Sequence, residues 1–198
     1  MIPSTLILCS AALAAVATPL TRQDDGPNCE SFGANGFAVS GNFKLAAVNT
    51  TLPNANTTGV PLALANAGAV VGESFFALAT VFSTPIINDV PLSLQNGAML
   101  PPWEFASDED VQAGDIVQWL TTGANRPAPA LIYCGVANAD DTSFPLLSVH
   151  GDTDGWALCL AGDWANAQNR LVYRPVDEPF SYIFDTCYPV NVHLVPTD

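Results

Sequence analysis

Four cysteines constrain this chain more than any other feature. Cys29, Cys134, Cys159 and Cys187 follow a fifth, Cys9, which lies in a short apolar run at residues 1–17. That run, MIPSTLILCSAALAAVA, has no charged side chain and ends in Ala15-Val16-Ala17, a small-x-small cleavage site; Arg22 and two aspartates follow soon after. It reads as a secretory signal peptide. Export delivers a chain to an oxidising compartment, where an even number of widely spaced cysteines forms disulfides. With Cys9 removed, two bridges are expected. Three connectivities exist. The preferred one joins Cys29 to Cys134 and Cys159 to Cys187, and the sequence alone does not select it. No Cys-x-x-Cys pair and no histidine at ligand spacing is present, so a structural zinc site is not expected.

The rest of the composition narrows the class. The chain has 198 residues, enough for one domain with a sizeable core. Five Lys and Arg stand against 19 Asp and Glu, a formal net charge of −14. Such a surface repels phosphate backbones and anionic lipid, so neither nucleic acid nor a membrane is an expected partner. Fourteen glycines and 16 prolines favour many short strands joined by turns over long helices. The expected organisation is a signal peptide (1–17), a flexible leader (18–31) and one β domain (32–198).

Alternating apolar residues place the strands. Phe37–Val48 alternates on either side of Ser40-Gly41-Asn42, which predicts a hairpin. Three phrases each start with proline and run toward a turn: Pro61–Leu64 before Asn66-Ala67-Gly68, Pro91–Leu94 before Asn96-Gly97, and Pro145–Val149 before His150-Gly151. Ser74–Ser83 reads as a buried strand. Ser107–Asp110 and Gly162–Asn169 read as helical turns. Trp156–Leu160 puts Trp156, Leu158 and Leu160 on one face and Cys159 on the other. Leu171–Tyr173, Phe180–Phe184 and Val190–Val195 complete the strands. The predicted fold is all-β, a single compact domain of β-sandwich or β-trefoil-like form with two disulfides.

Catalytic signatures are missing. There is no Gly-x-Ser-x-Gly, His-Glu-x-x-His, Walker loop or Gly-x-Gly-x-x-Gly, and no cofactor is expected. Ser148, His150 and Asp152 alternate, but side chains spaced along one strand rarely hydrogen-bond in series as a triad requires. Glu73, Glu104 and Glu178 lack the flanks of an acid peptidase. The Gly151–Gly155 run offers Asp152 and Asp154 as calcium ligands, which Asp140, Asp141 and Asp163 would have to complete; the alternative is a solvated turn. Trp164 with Asp163 and Asn166 is the best candidate for a sugar platform, since an indole face covers C–H groups while amide and carboxylate take hydroxyls. Asn49-Thr50-Thr51 and Asn56-Thr57-Thr58 are glycosylation sequons in a loop marked by Pro53 and Gly59.

The signal peptide, the early Cys29, the strand–Asn-Gly–strand phrases, Gly155-Trp156-Ala157-Leu158-Cys159 and Asp185-Thr186-Cys187 with its following strand resemble small secreted fungal proteins. They are similar to the cell-wall proteins linked with phialide and conidium development. The resemblance covers mostly residues 91–195 in short motifs. It implies a secreted, glycosylated, wall-associated protein without catalysis and carries no catalytic residues. The expected function is therefore a structural or interaction role at the cell wall or outside the cell, with cell-wall polysaccharide or another glycan as partner. The alternatives are a lectin-like carbohydrate-binding module and a secreted acid-active hydrolase.

Overall fold

The structure is a computed structural model that describes residues 28–84, 87–103, 106–123, 127–138, 143–177 and 179–197. The expected signal peptide, the leader up to residue 27, and Glu104, Asp140, Asp141 and Glu178 lie outside the described residues.

Among the described residues, fourteen strands form one antiparallel sheet. In chain order these are β1 (Gly36–Phe37), β2 (Ser40–Asn49), β3 (Val60–Val70), β4 (Glu73–Thr80), β5 (Ile87–Asn88), β6 (Leu92–Gln95) and β7 (Ala98–Leu100). Then follow β8 (Ala106–Asp108), β9 (Gln118–Thr122), β10 (Tyr133–Val136), β11 (Leu146–Val149), β12 (Trp156–Leu160), β13 (Asn169–Tyr173) and β14 (Tyr188–Pro196). Six of them close on themselves in the order β2-β3-β4-β13-β12-β14, with β14 returning to β2. The expected all-β fold and both disulfides are present, and the core is this closed barrel.

Outer strands attach because the long barrel strands fork. One edge of β2 is paired with β14 from Phe43 to Asn49. Its other edge pairs with β3 through Leu45–Ala47 and with β6 through Ser40 and Phe43. β14 divides likewise, between β12 at Tyr188 and Pro189 and β11 at His193. β4 pairs with β9 from Glu73 to Ala77 and reaches β13 directly only at Ala79, opposite Arg170. Where β4 and β13 diverge, residues 114–117 are laid between them. Leu78 N–H donates to the Val117 carbonyl (2.9 Å) and Val117 N–H to the Leu171 carbonyl (3.0 Å).

The interior follows the two-residue period of a strand. Phe43, Leu45, Leu62, Leu64, Leu78, Trp156, Leu158, Leu171, Val190 and Val192 fill it. Trp119 and Trp156 are fully buried, and each indole N–H finds a backbone carbonyl, Met99 and Leu147 respectively, at 2.9 Å. That satisfies the one polar atom each would otherwise strand in the core. Outside the barrel, Ala157, Cys159 and Val172 meet Tyr182 in a second apolar cluster, closed by the Cys159–Cys187 bond. The other bond, Cys29–Cys134, fastens the 3-10 segment Cys29–Asn35 to β10.

Several local expectations change. Ser40-Gly41-Asn42 is no hairpin turn: β2 runs through it, Gly41 does not take a positive φ, and the register slips only against β6. Asn66-Ala67-Gly68 is a bulge inside β3. Gly68 sits at φ +134°, its N–H donates to Asn66 Oδ1 (3.0 Å), and the strand continues to Val70 before turning. Asn96-Gly97 is the tight turn expected, with both residues at positive φ. Residues 106–108 form a strand on β9, and residues 162–168 form a non-helical loop. Phe180–Phe184 is not a strand: residues 180–183 are loop and Phe184 opens the 3-10 segment Phe184–Thr186, with only Tyr182 pointing inward and Phe180 fully exposed.

Candidate functional site

The structure sorts the candidate ligand and glycan residues into three places. The sequons sit together where β2 gives way to its connection to β3: Asn49 is the last, partly exposed residue of β2, and Asn56 lies on the exposed connection. Asn49 Oδ1 accepts Thr51 N–H (2.8 Å), Thr51 Oγ1–H (3.0 Å) and Leu52 N–H (2.8 Å), so the sequon is folded as an Asx turn. Asn56 Oδ1 accepts Gly59 N–H (2.8 Å). In both residues the oxygen is occupied. Neither Nδ2 has a hydrogen-bond acceptor among the described residues. The loop is tied to β14 by His193 Nδ1–H, which donates to the Thr58 carbonyl (3.2 Å). Burial holds His193 below its ordinary pKa, and the Thr58 bond offsets this in part.

Asp163, Trp164 and Asn166 share the loop between β12 and β13, and all three are exposed. The indole lies over the Cα of Gly162, where a Cβ would collide with it. Asn166 is at φ +64°, and Ala167 N–H closes the turn onto the Trp164 carbonyl (3.1 Å). Trp164 is 58% exposed. The other three indoles do not join it, because Trp119 and Trp156 are core and Trp103 packs on Phe76 at 5.2 Å. A second aromatic plane for a sugar is therefore not supplied by tryptophan.

The Gly151–Gly155 run is a clamp. Asp152 Oδ2 accepts Tyr173 O–H (3.0 Å), Arg174 Nε–H (2.9 Å) and Arg174 Nη2–H (2.6 Å), while Oδ1 accepts Asp154 N–H (2.9 Å). Burial raises the Asp152 pKa, but the Asp154 amide, Arg174 and Tyr173 together outweigh it and leave it below the usual carboxylate value. Burial and the same carboxylate push Tyr173 up to about 12. The Tyr173 ring in turn meets Trp156 at 5.4 Å and has Arg174 over it at 5.2 Å. Asp154 is exposed, with its carboxylate on Thr153 Oγ1. No group of three or more His, Cys, Asp or Glu placed to hold a metal occurs among the described residues. No series of hydrogen bonds links Ser148, His150 and Asp152. Ser148 Oγ is buried without a partner among the described residues, His150 Nε2 lies 3.0 Å from the Val111 carbonyl, and Asp152 holds Arg174.

The site that sequence reasoning missed is a groove of about 620 Å³ on the outer face of the barrel. Asp115, Ile116 and Gln118, from the segment bridged to β13 at Ile116–Val172, line it together with Arg170 of β13. Glu109 and Asp110 add two more carboxylates. Ala67, Phe75, Ala161, Phe180 and Ser181 complete the lining. Ala161 N–H bonds the Gln168 carbonyl (2.8 Å), so the Trp164 loop springs from the groove's rim. Glu109 Oε2 takes Gln118 Nε2–H (2.7 Å) and Asp115 Oδ2 takes Gln112 N–H (2.9 Å). Arg170 Nε–H donates to Gln168 Oε1 (2.8 Å), and burial lowers its pKa. A groove of this size suits a small ligand. No single motif marks it, since its members come from six separate stretches, 67, 75, 109–118, 161, 170 and 180–181. The chain has no helix, among the described residues, long and apolar enough to cross a membrane. No family model, curated protein or solved structure matches the chain, so the groove and the loops around it stand on their own geometry.

Proposed function

We propose that this chain is an exported glycoprotein of fungal cell-wall type, acting outside the cell or in the wall through its surface rather than by catalysis. The observation that carries this reading is the sequon loop. Asn49 at the end of β2 and Asn56 on the exposed connection beyond it each have the side-chain oxygen engaged and the amide nitrogen without an acceptor among the described residues, and Cys29, Cys134, Cys159 and Cys187 are all in disulfides. Both features are those of the secretory route. Expression from a eukaryotic secretory host tests it. The expected product is in the medium, and glycosidase treatment, Asn49→Gln and Asn56→Gln each increase its mobility on a gel. Retention in the cell as an unmodified, thiol-bearing chain would overturn it.

A second reading, carbohydrate binding, is favoured by the groove. It combines carboxylates that accept hydroxyl donors, two phenylalanine faces and an exposed indole on the adjoining loop. A polysaccharide pull-down with and without calcium decides it, and the absence of retention on every wall polysaccharide or glycan would sink it.

A further inference from the structure

Three Lys and Arg side chains belong to the described residues. Lys44 pairs with Asp89 at 2.7 Å and Arg174 with Asp152 at 2.6 Å. Arg170 is different. It is half-buried, yet among the described residues its guanidinium has one neutral partner, Gln168 Oε1, and no carboxylate within ion-pair distance. A guanidinium withdrawn from water without an anion is costly, and proteins ordinarily give such a group a counter-charge. Three carboxylates line the same groove and none closes on it. Glu109 and Asp115 are instead held by Gln118 and by the Gln112 amide, and each keeps a second oxygen without a partner among the described residues.

This arrangement specifies a ligand with two chemically different sides. A planar carboxylate fits the fork of Arg170, whose N–H groups bind such an anion in pairs. Hydroxyl donors fit the second carboxylate oxygens of Glu109 and Asp115, which line the same groove. An apolar ring face fits Phe180, whose ring is fully exposed. The charge of −14 disfavours a polyanion, so the ligand brings one carboxylate and not a row of them.

We infer that the groove receives a saccharide end bearing a single carboxylate, a uronic acid residue, with Arg170 as its counter-ion, Glu109 and Asp115 as hydroxyl acceptors and Phe180 as the ring platform. The inference rests on the carbohydrate-binding reading and narrows it to one sugar class.

Calorimetric titration of the full folded chain tests it. The probes are a disaccharide ended in glucuronic acid, the same disaccharide ended in glucose, polygalacturonate, and free phenylalanine as an amphoteric non-sugar. The uronate-ended disaccharide is expected to bind at least about tenfold more tightly than the glucose-ended one, a gap that shrinks as salt is raised. Arg170→Gln is expected to abolish the gap, and Arg170→Lys to leave part of it, with folding checked by circular dichroism. Phe180→Ala, at a fully exposed ring, is expected to weaken both disaccharides. Equal binding of the two disaccharides overturns the uronate inference and leaves the carbohydrate reading standing. A gap that survives Arg170→Gln overturns the role of Arg170. Binding of polygalacturonate in preference to the short uronate overturns the single-carboxylate specification. Binding of phenylalanine with neither disaccharide bound overturns both the inference and the reading beneath it.

Discussion

Tyr173 donates its phenolic hydrogen to Asp152 Oδ2 over 3.0 Å, and that oxygen also receives two N–H groups of Arg174. The pair ties the end of β13 to the turn that follows β11. Removing the carboxylate by Asp152→Ala strands the phenol and loosens the turn, and is expected to cost about 1–3 kcal/mol. Tyr173→Phe is expected to cost about 1 kcal/mol. Arg174 is mostly exposed, so Arg174→Ala should cost less than about 1 kcal/mol because water screens the pair. Urea unfolding of the single and double variants should show that Asp152 and Tyr173 are not additive.

Acid should destabilise the fold in two steps. His193 has a folded pKa below 6.5, so the folded chain takes up this proton less readily than the unfolded one. Its contribution is whole above pH 6.5 and is lost as pH falls from there toward the folded value. Asp152, depressed below 3.8, holds its contribution above that value and loses it in stronger acid. Tyr173 acts in the opposite direction, losing its contribution as pH rises from 10.0 to about 12. Urea midpoints across a pH series should show these slopes, and His193→Gln should remove the step nearest neutrality.

The two disulfides should differ in worth. Cys29–Cys134 spans 105 residues and Cys159–Cys187 spans 28. Loop-closure entropy predicts losses of about 4.8 and about 3.6 kcal/mol on replacing each pair with alanine. Losing the shorter bond should also expose Tyr182 and the loop before β14, readable by limited proteolysis.

Ser148 is fully buried opposite Cys134, and its hydroxyl has no partner among the described residues. Ser148→Ala removes an unsatisfied polar group at little loss of volume. It is expected to be neutral or to stabilise by up to about 1 kcal/mol in thermal unfolding. A loss of stability would show that the hydroxyl has a partner, such as an internal water.

Gly162→Ala drives a methyl group into the ring of Trp164. The indole is already more than half exposed and can swing outward, so stability should change by less than about 0.5 kcal/mol. Its fluorescence should shift to the red and its quenching by acrylamide should rise. An unchanged emission would mean that the indole does not rest on Gly162.

Alternation made most of the core legible. Trp156 and Leu158 point inward and Ala157 and Cys159 outward, as the two-residue period requires. The cysteine count led to the two bonds. Punctuation was less reliable. Gly and Asn mark turns and bulges alike, so Asn96-Gly97 is the turn its sequence predicts while Ser40–Asn42 and Asn66–Gly68 are not turns. The groove was invisible for a different reason. Arg170 stands out because no carboxylate among the described residues pairs with it, and that depends on how β4, β13 and residues 109–118 come together rather than on any neighbour in sequence.

The return of β14 to β2 also governs how the chain must acquire its shape. β2 is made early in synthesis and β14 some 140 residues later, so the ring stays open until residues 188–196 arrive. Long-range pairing of this kind slows folding, because chain entropy is lost before contacts compensate it. Until then β2 presents a bare edge, and an early Cys29–Cys134 bond would hold the first two-thirds of the chain together while it waits. A chain stopped before residue 188 should therefore fail as a whole and associate through that edge, rather than leave a smaller folded barrel.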